Sequence, residues 1–196
     1  MIENLFCGGF SLDNLLGVPN IVWKDVKESA VAGKGVTTAQ ENYLEAMLLL
    51  QRREPVVRVR SLAQFLGVRM ASVTGMLKNL AQQGLVTYRP YGHAVLTEEG
   101  EAVARDVLGR HNAIKDFLVS VLGVSSERAE SAACRMEHVL DGELVRRFAK
   151  FAEFVRSCPR CSEPFLGHFV RFAERGGVDA DECRSCLRKT LEEVVE

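Results

Sequence analysis

No hydrophobic run in the 196-residue sequence approaches about 20 residues, the length a membrane-spanning helix needs. The opening stretch, MIENLFCGGFSLDNLLG, has neither a basic leader nor a long apolar core, so no secretory signal is expected and the chain reads as cytoplasmic. An HExxH helix and a nucleophile elbow are also missing, which leaves hydrolytic chemistry without a foothold; no catalytic residue and no small-molecule substrate are expected. Extensive disorder is excluded by composition, since 47% of the residues are hydrophobic and 26% are charged.

What is present is unevenly distributed. The formal net charge is −1. Yet between residues 52 and 93 the basic residues Arg52, Arg53, Arg58, Arg60, Arg69, Lys78 and Arg89 face a single acid, Glu54. A solvated face would intersperse both signs; a compact basic segment in an otherwise acidic chain is a footprint for phosphate.

The apolar pattern divides the chain into four parts. Residues 1–36 have no sustained period and form a poorly specified extension. Residues 37–97 carry a helix over about 39–52, opened by a capping box on Thr38 and Glu41, then a short helix from Ser61, a turn at Gly67, a second helix with Val73, Met76, Leu77 and Leu80 on one face, and a hairpin of Leu85–Tyr88 with His93–Leu96. Helix, helix, turn, helix and β-hairpin in that order predict a winged helix-turn-helix. Residues 98–157 hold a long helix opened by Thr97, with Val107, His111, Ile114, Leu118 and Val121 on one stripe. A second helix, capped by Ser125, is expected to run through Cys134, Glu137 and His138 toward Val155. This pair is the expected dimerisation unit, and residues 158–196 form a cysteine-rich tail. The fold class is therefore mainly α, with a small β wing.

Recognition helices meet base edges through their N-terminal residues, here Arg69, Ala71, Ser72 and Gly75. Arg69 can fork onto a guanine and Ala71 can touch a thymine methyl, while Arg58, Arg60, Lys78 and Arg89 are placed for phosphate or the adjoining groove. So small a set of base contacts calls for two copies, a homodimer on a pseudo-palindromic duplex. Cys134, Glu137 and His138 stand at i, i+3 and i+4, a spacing that puts thiolate, carboxylate and imidazole on one helical face, where they can share a metal ion. The same triplet, taken alone, also fits a buried cysteine beside surface charges.

The segments TTAQENYLEAM, SLAQFLGVRMASVTGMLKNLAQQGLV, LTEEGEAVARDVLGRH and ACRMEHVL resemble the iron-dependent repressor family, of the diphtheria-toxin-repressor and manganese-transport-regulator type. The resemblance implies a metal-dependent repressor of metal-homeostasis genes, with Cys134, Glu137, His138 and His111 as ligands. It also implies positions for first-helix ligands at Asn42 and Glu45, and an ancillary donor at Glu130. Lys115 stands where the family carries an acid, and an ammonium repels a cation, which weighs against a full second site. A thiolate at Cys134 softens the donor set and favours Fe²⁺ over Mn²⁺, with other divalent transition metals also compatible.

Cys158-Pro-Arg-Cys161 and Cys183-Arg-Ser-Cys186 supply four thiolates at a spacing near that of zinc ribbons, so a structural Zn²⁺ is expected. An iron–sulfur centre or a dithiol pair would use the same residues. The alternative function that follows is a thiol or zinc redox-sensing regulator.

Overall fold

The computed structural model describes residues 35–53, 56–89, 92–158, 163–177 and 179–195. Nearly all of the N-terminal extension lies outside these residues, as do Pro90 and Tyr91 at the hairpin tip.

Helix α1 (Thr38–Gln51) opens one residue earlier than its sequence signal implied. The capping box is Thr37 with Gln40: the Thr37 hydroxyl accepts from the Gln40 N–H at 3.3 Å, and Oε1 of Gln40 accepts from the Thr37 N–H at 2.8 Å. The box predicted on Thr38 and Glu41 is thus displaced, because Thr37 has the extended backbone an N-cap needs. Glu41 is consequently released for a different partner.

Strand β1 (Val57–Arg58) was not foreseen; two residues are too few to show alternation. Its anchor is Val57, fully buried opposite Ala94. Helix α2 (Val59–Leu66) begins at Val59 rather than Ser61 and ends on Gly67, whose φ of +65° reverses the chain into α3 (Met70–Gln82). Strands β2 (Val86–Tyr88) and β3 (His93–Leu96) complete an antiparallel sheet in the order β1-β3-β2. Buried Val73, Leu77 and Leu80 of α3 pack with Leu44, Met47 and Leu49 of α1 in one core.

Helix α4 (Glu98–Ser120) leaves the sheet through a tight corner. The Thr97 hydroxyl accepts from the Gly100 N–H at 3.1 Å and donates to the Gly84 carbonyl at 2.8 Å, while the Thr97 N–H donates to the Leu85 carbonyl at 3.1 Å. The first half of α4 belongs to the winged-helix core through Val103, Ala104 and Leu108. Its second half puts Ala113 and Ile114 into a separate core.

That second core corrects one expectation. The single helix predicted from Ser125 toward Val155 is two, α5 (Ser126–Met136) and α6 (Gly142–Ser157). The break arises at Asp141, whose carboxylate accepts from the Leu144 N–H at 2.8 Å and starts a new helix. Ser125 holds the N-cap position of α5 without a side-chain capping bond. Ala133 of α5 and Val145 of α6 close on α4, with Phe117 stacked on Phe148 at 4.6 Å. In the tail, α7 (Glu163–Arg175) and α8 (Ala180–Val195) flank Gly176 and Gly177, both at positive φ.

Candidate metal centre

Three elements meet where the two cores adjoin: α1 from the winged helix, the middle of α4, and the turn that follows α5. Each contributes one fully buried ionisable side chain, Glu45, His111 and Glu137 respectively. One ligand atom from each lies within 4.8 Å of the others, a group able to hold a metal ion. His111 is clamped on both sides. Its Nδ1 is 2.6 Å from Oε2 of Glu137, and its Nε2 is 3.2 Å from Oε1 of Glu130. The second oxygen of Glu130 faces the Lys115 ammonium at 3.0 Å.

The electrostatics follow from burial and from these neighbours. Burial pushes the Glu45 carboxyl up, and the nearby Glu137 charge pushes it further, to about 8. Burial alone would lower His111, but its hydrogen bonds to the Glu130 and Glu137 carboxylates outweigh this and raise the imidazole to about 10. Glu130 moves the other way: burial raises it, yet His111 and Lys115 hold it below the ordinary carboxylate range. To serve as ligands, His111 would have to give up a proton and Glu45 would have to ionise.

The residues fit such an ion. Among the described residues, neither carboxylate oxygen of Glu45 has a hydrogen-bond partner, nor does Oδ1 of Asn42, three positions earlier on α1, although all three atoms are buried. Buried oxygens without a donor are costly, and a cation is the partner that oxygen donors of this kind accept.

Helix α5 ends at Met136; Glu137 occupies its C-cap with helical backbone angles, and His138 lies in the turn that follows. Glu137 turns toward His111. His138 reaches α1, with Nδ1 2.8 Å from Oε2 of Glu41 and Nε2 3.3 Å from Oε1 of Glu137. Cys134 is half-buried on α5 and lies outside the three-residue group. Glu41 was not among the predicted site residues. It stands below its ordinary range, since burial raises it while hydrogen bonds from His138 and Arg110 lower it and prevail.

On the winged helix, Arg58, Arg60, Arg69, Ala71, Ser72, Gly75, Lys78 and Arg89 are all exposed. Gly75 faces open space, with no atom within 4 Å of where a Cβ would stand. In the tail, Cys158 follows α6 and Cys183 lies on α8, each half-buried. Cys186 belongs to α8 as well, so the second cysteine pair is carried on a helix rather than on a knuckle turn; Cys161 is outside the described residues. Among the described residues, no helix is long and apolar enough to cross a membrane.

These features define a winged-helix transcription regulator whose appended helical unit carries a candidate metal centre. Residues 36–94 match the family model described as the iron dependent repressor N-terminal DNA binding domain, and residues 97–165 match its metal binding and dimerisation domain. The chain belongs to the iron-dependent repressor family, whose members are DNA-binding regulators rather than enzymes. It is 37% identical over 114 residues to an uncharacterized HTH-type transcriptional regulator of Methanocaldococcus jannaschii, spanning 58% of this chain and 91% of that protein. It is also 37% identical over 113 residues to the transcriptional regulator MntR of Escherichia coli O6:H1, spanning 58% and 72%. A manganese-dependent transcriptional repressor in complex with manganese superposes with a TM-score of 0.52 at 27% identity, covering 59% of this chain. The repressor ScaR with bound Zn²⁺ superposes equally, at 0.52 and 26% identity, covering 62%. The chain spans about half the length of these solved structures, 53% and 56% respectively.

Proposed function

We propose that the protein is a homodimeric, metal-dependent transcription repressor that binds a pseudo-palindromic operator when a divalent cation occupies the junction of α1, α4 and the turn after α5. The observation that carries this reading is the pair of partnerless Glu45 oxygens facing His111 and Glu137. Glu45 belongs to the DNA-binding unit and the other two to the helical unit, so a shared ion would fix one unit against the other. The effect on DNA affinity is bounded by the preference of the ion for the DNA-competent arrangement.

Residues 37–97 are assigned to DNA binding, 98–157 to dimerisation and sensing, and 158–196 to the tail. Glu45, His111 and Glu137 are the proposed ligands, with Asn42 and His138 as further donors and Glu130 as a flanking acid. A set of carboxylate, imidazole and amide oxygen suits Mn²⁺ as well as Fe²⁺. Cys134 is the residue that would tip the balance to Fe²⁺. With Cys134 outside the close group, and with manganese named for the superposable repressor, Mn²⁺ is the first ion to test. Arg69, Ala71, Ser72 and Gly75 are assigned to base edges, and Arg58, Arg60, Lys78 and Arg89 to the backbone.

The test is DNA binding by the full chain before and after chelation, followed by titration with Mn²⁺ or Fe²⁺. Affinity should rise by a factor of about 10 to 100 on addition of metal, in the usual range for coupling between sites. Equal affinity in chelator and in saturating metal would overturn the reading.

Cys158, Cys161, Cys183 and Cys186 are proposed to hold a structural Zn²⁺ separate from the sensing ion. Replacing Cys161 and Cys186 by serine should remove zinc from purified protein while leaving metal-dependent DNA binding in place, with elemental analysis and binding curves as readouts. Normal zinc content with loss of the metal response would instead assign sensing to the tail thiols.

A further inference from the structure

Metal ligation leaves one buried charge at the junction unexplained, the Arg110 guanidinium. It is only 9% exposed and sits on α4 directly before His111. Nη1 donates to the main-chain carbonyl of Glu137 at 2.8 Å and Nη2 donates to Oε1 of Glu41 at 2.8 Å, with Nε 3.3 Å from Oδ2 of Asp106. The other oxygen of Glu41 faces Nδ1 of His138. Glu41 thus belongs to the winged helix, while the partners of its carboxylate belong to α4 and to the turn after α5.

The neighbouring residue on α1 points the other way. Gln40 donates through Nε2 to Oδ1 of Asn79 on α3, the recognition helix, at 2.6 Å. A single turn of α1 therefore carries a bond to the helix that would read DNA and a clasp to the helices that hold the candidate ligands. A rigid guanidinium is suited to this, because its fork fixes direction as well as charge; an ammonium on a flexible stem would bond one acceptor without fixing the other.

We infer that Arg110 is a positioning residue: by clasping Glu41 to the Glu137 carbonyl it sets the orientation of α1, and the Gln40–Asn79 bond passes that orientation to α3. This rests on the repressor reading above. The carbonyl it grips belongs to a residue of the metal cluster, so displacement of that turn is felt at Glu41 without Arg110 touching either the ion or DNA.

The experiment uses the full chain and a duplex selected by the wild-type protein from a random-sequence pool in saturating Mn²⁺. Arg110→Gln should bind Mn²⁺ within about threefold of wild type, yet bind that duplex about tenfold or more weakly at saturating Mn²⁺. Amide exchange over residues 38–45 should be faster than in wild type with the ion bound. Glu41→Gln combined with Arg110→Gln should be no weaker than Arg110→Gln alone, as expected for two ends of one contact. Arg110→Lys covers the case in which Arg110→Gln does not fold, and should show the same split in milder form. Unchanged DNA affinity together with unchanged exchange overturns the inference. So does a loss of Mn²⁺ affinity in step with the loss of DNA affinity, since Arg110 would then act through the metal site. If the wild type selects no duplex in Mn²⁺, the repressor reading falls, and the exchange rates alone decide whether the clasp orders α1.

Discussion

Glu137→Ala is expected to weaken Mn²⁺ binding by more than about 100-fold and to abolish the metal response of DNA binding, an effect larger than that of losing a group that only supports a ligand. Glu137 is fully buried and touches both imidazoles of the junction, His111 at 2.6 Å and His138 at 3.3 Å. Its removal also takes away one of the two carboxylates flanking His111. Alanine leaves a void, so Glu137→Gln is the necessary companion: it keeps the volume and removes the charge. Calorimetric titration with Mn²⁺ checks both variants. Affinities within about threefold of wild type in the folded proteins would show that the cluster is not where the ion binds.

Gly100→Ala is expected to destabilise the folded chain by about 3 kcal/mol, the upper end of what overpacking costs. An ideal Cβ at this position would lie 1.9 Å from the Leu85 carbonyl oxygen and 2.9 Å from its carbon, so a side chain of any size requires the backbone to shift. The corner it occupies carries three hydrogen bonds through Thr97, and any shift is transmitted to the start of α4 and to the end of the sheet. Gly75→Ala supplies the contrast. It lies within α3 with open space around it, and should stabilise by about 0.5–1 kcal/mol through helix propensity alone. Urea unfolding of both variants is the measurement, and equal midpoints would refute the steric account.

Local chemistry made much of the winged helix legible. The spacing of Val73, Leu77 and Leu80 set the inward face of α3, Gly67 marked the turn before it, and Thr97 marked the start of α4. The errors came where competing local signals were close in strength. Thr37 with Gln40 and Thr38 with Glu41 both spell a capping box, and backbone geometry at residue 37 decided between them. Val139 and Leu140 follow Met136 at helical spacing, so the apolar pattern runs across the break, even though Asp141 is itself an N-cap signal.

The candidate site was legible only in part, for a reason of distance along the chain. Glu137 could be named from its spacing with Cys134 and His138, whereas His111 and Glu45 came as ligands from family resemblance. The partnership of Arg110 with Glu41 spans 69 residues and that of His138 with Glu41 spans 97, and no local pattern announces either. Glu41 in particular was assigned to a cap, a role that Gln40 performs.

The early end of α5 also has an electrostatic consequence. A helix carries a macrodipole whose carboxyl end is equivalent to about half a negative elementary charge, concentrated on its last unsatisfied carbonyls. Had the helix continued, that end would have lain far along the chain from His111. Because it stops at Met136, the negative pole of α5 opens beside Glu137, and one cation, Arg110, already rests on the Glu137 carbonyl there. The backbone therefore adds to the attraction that the carboxylates exert on any cation entering the junction, a contribution that no side-chain substitution would remove.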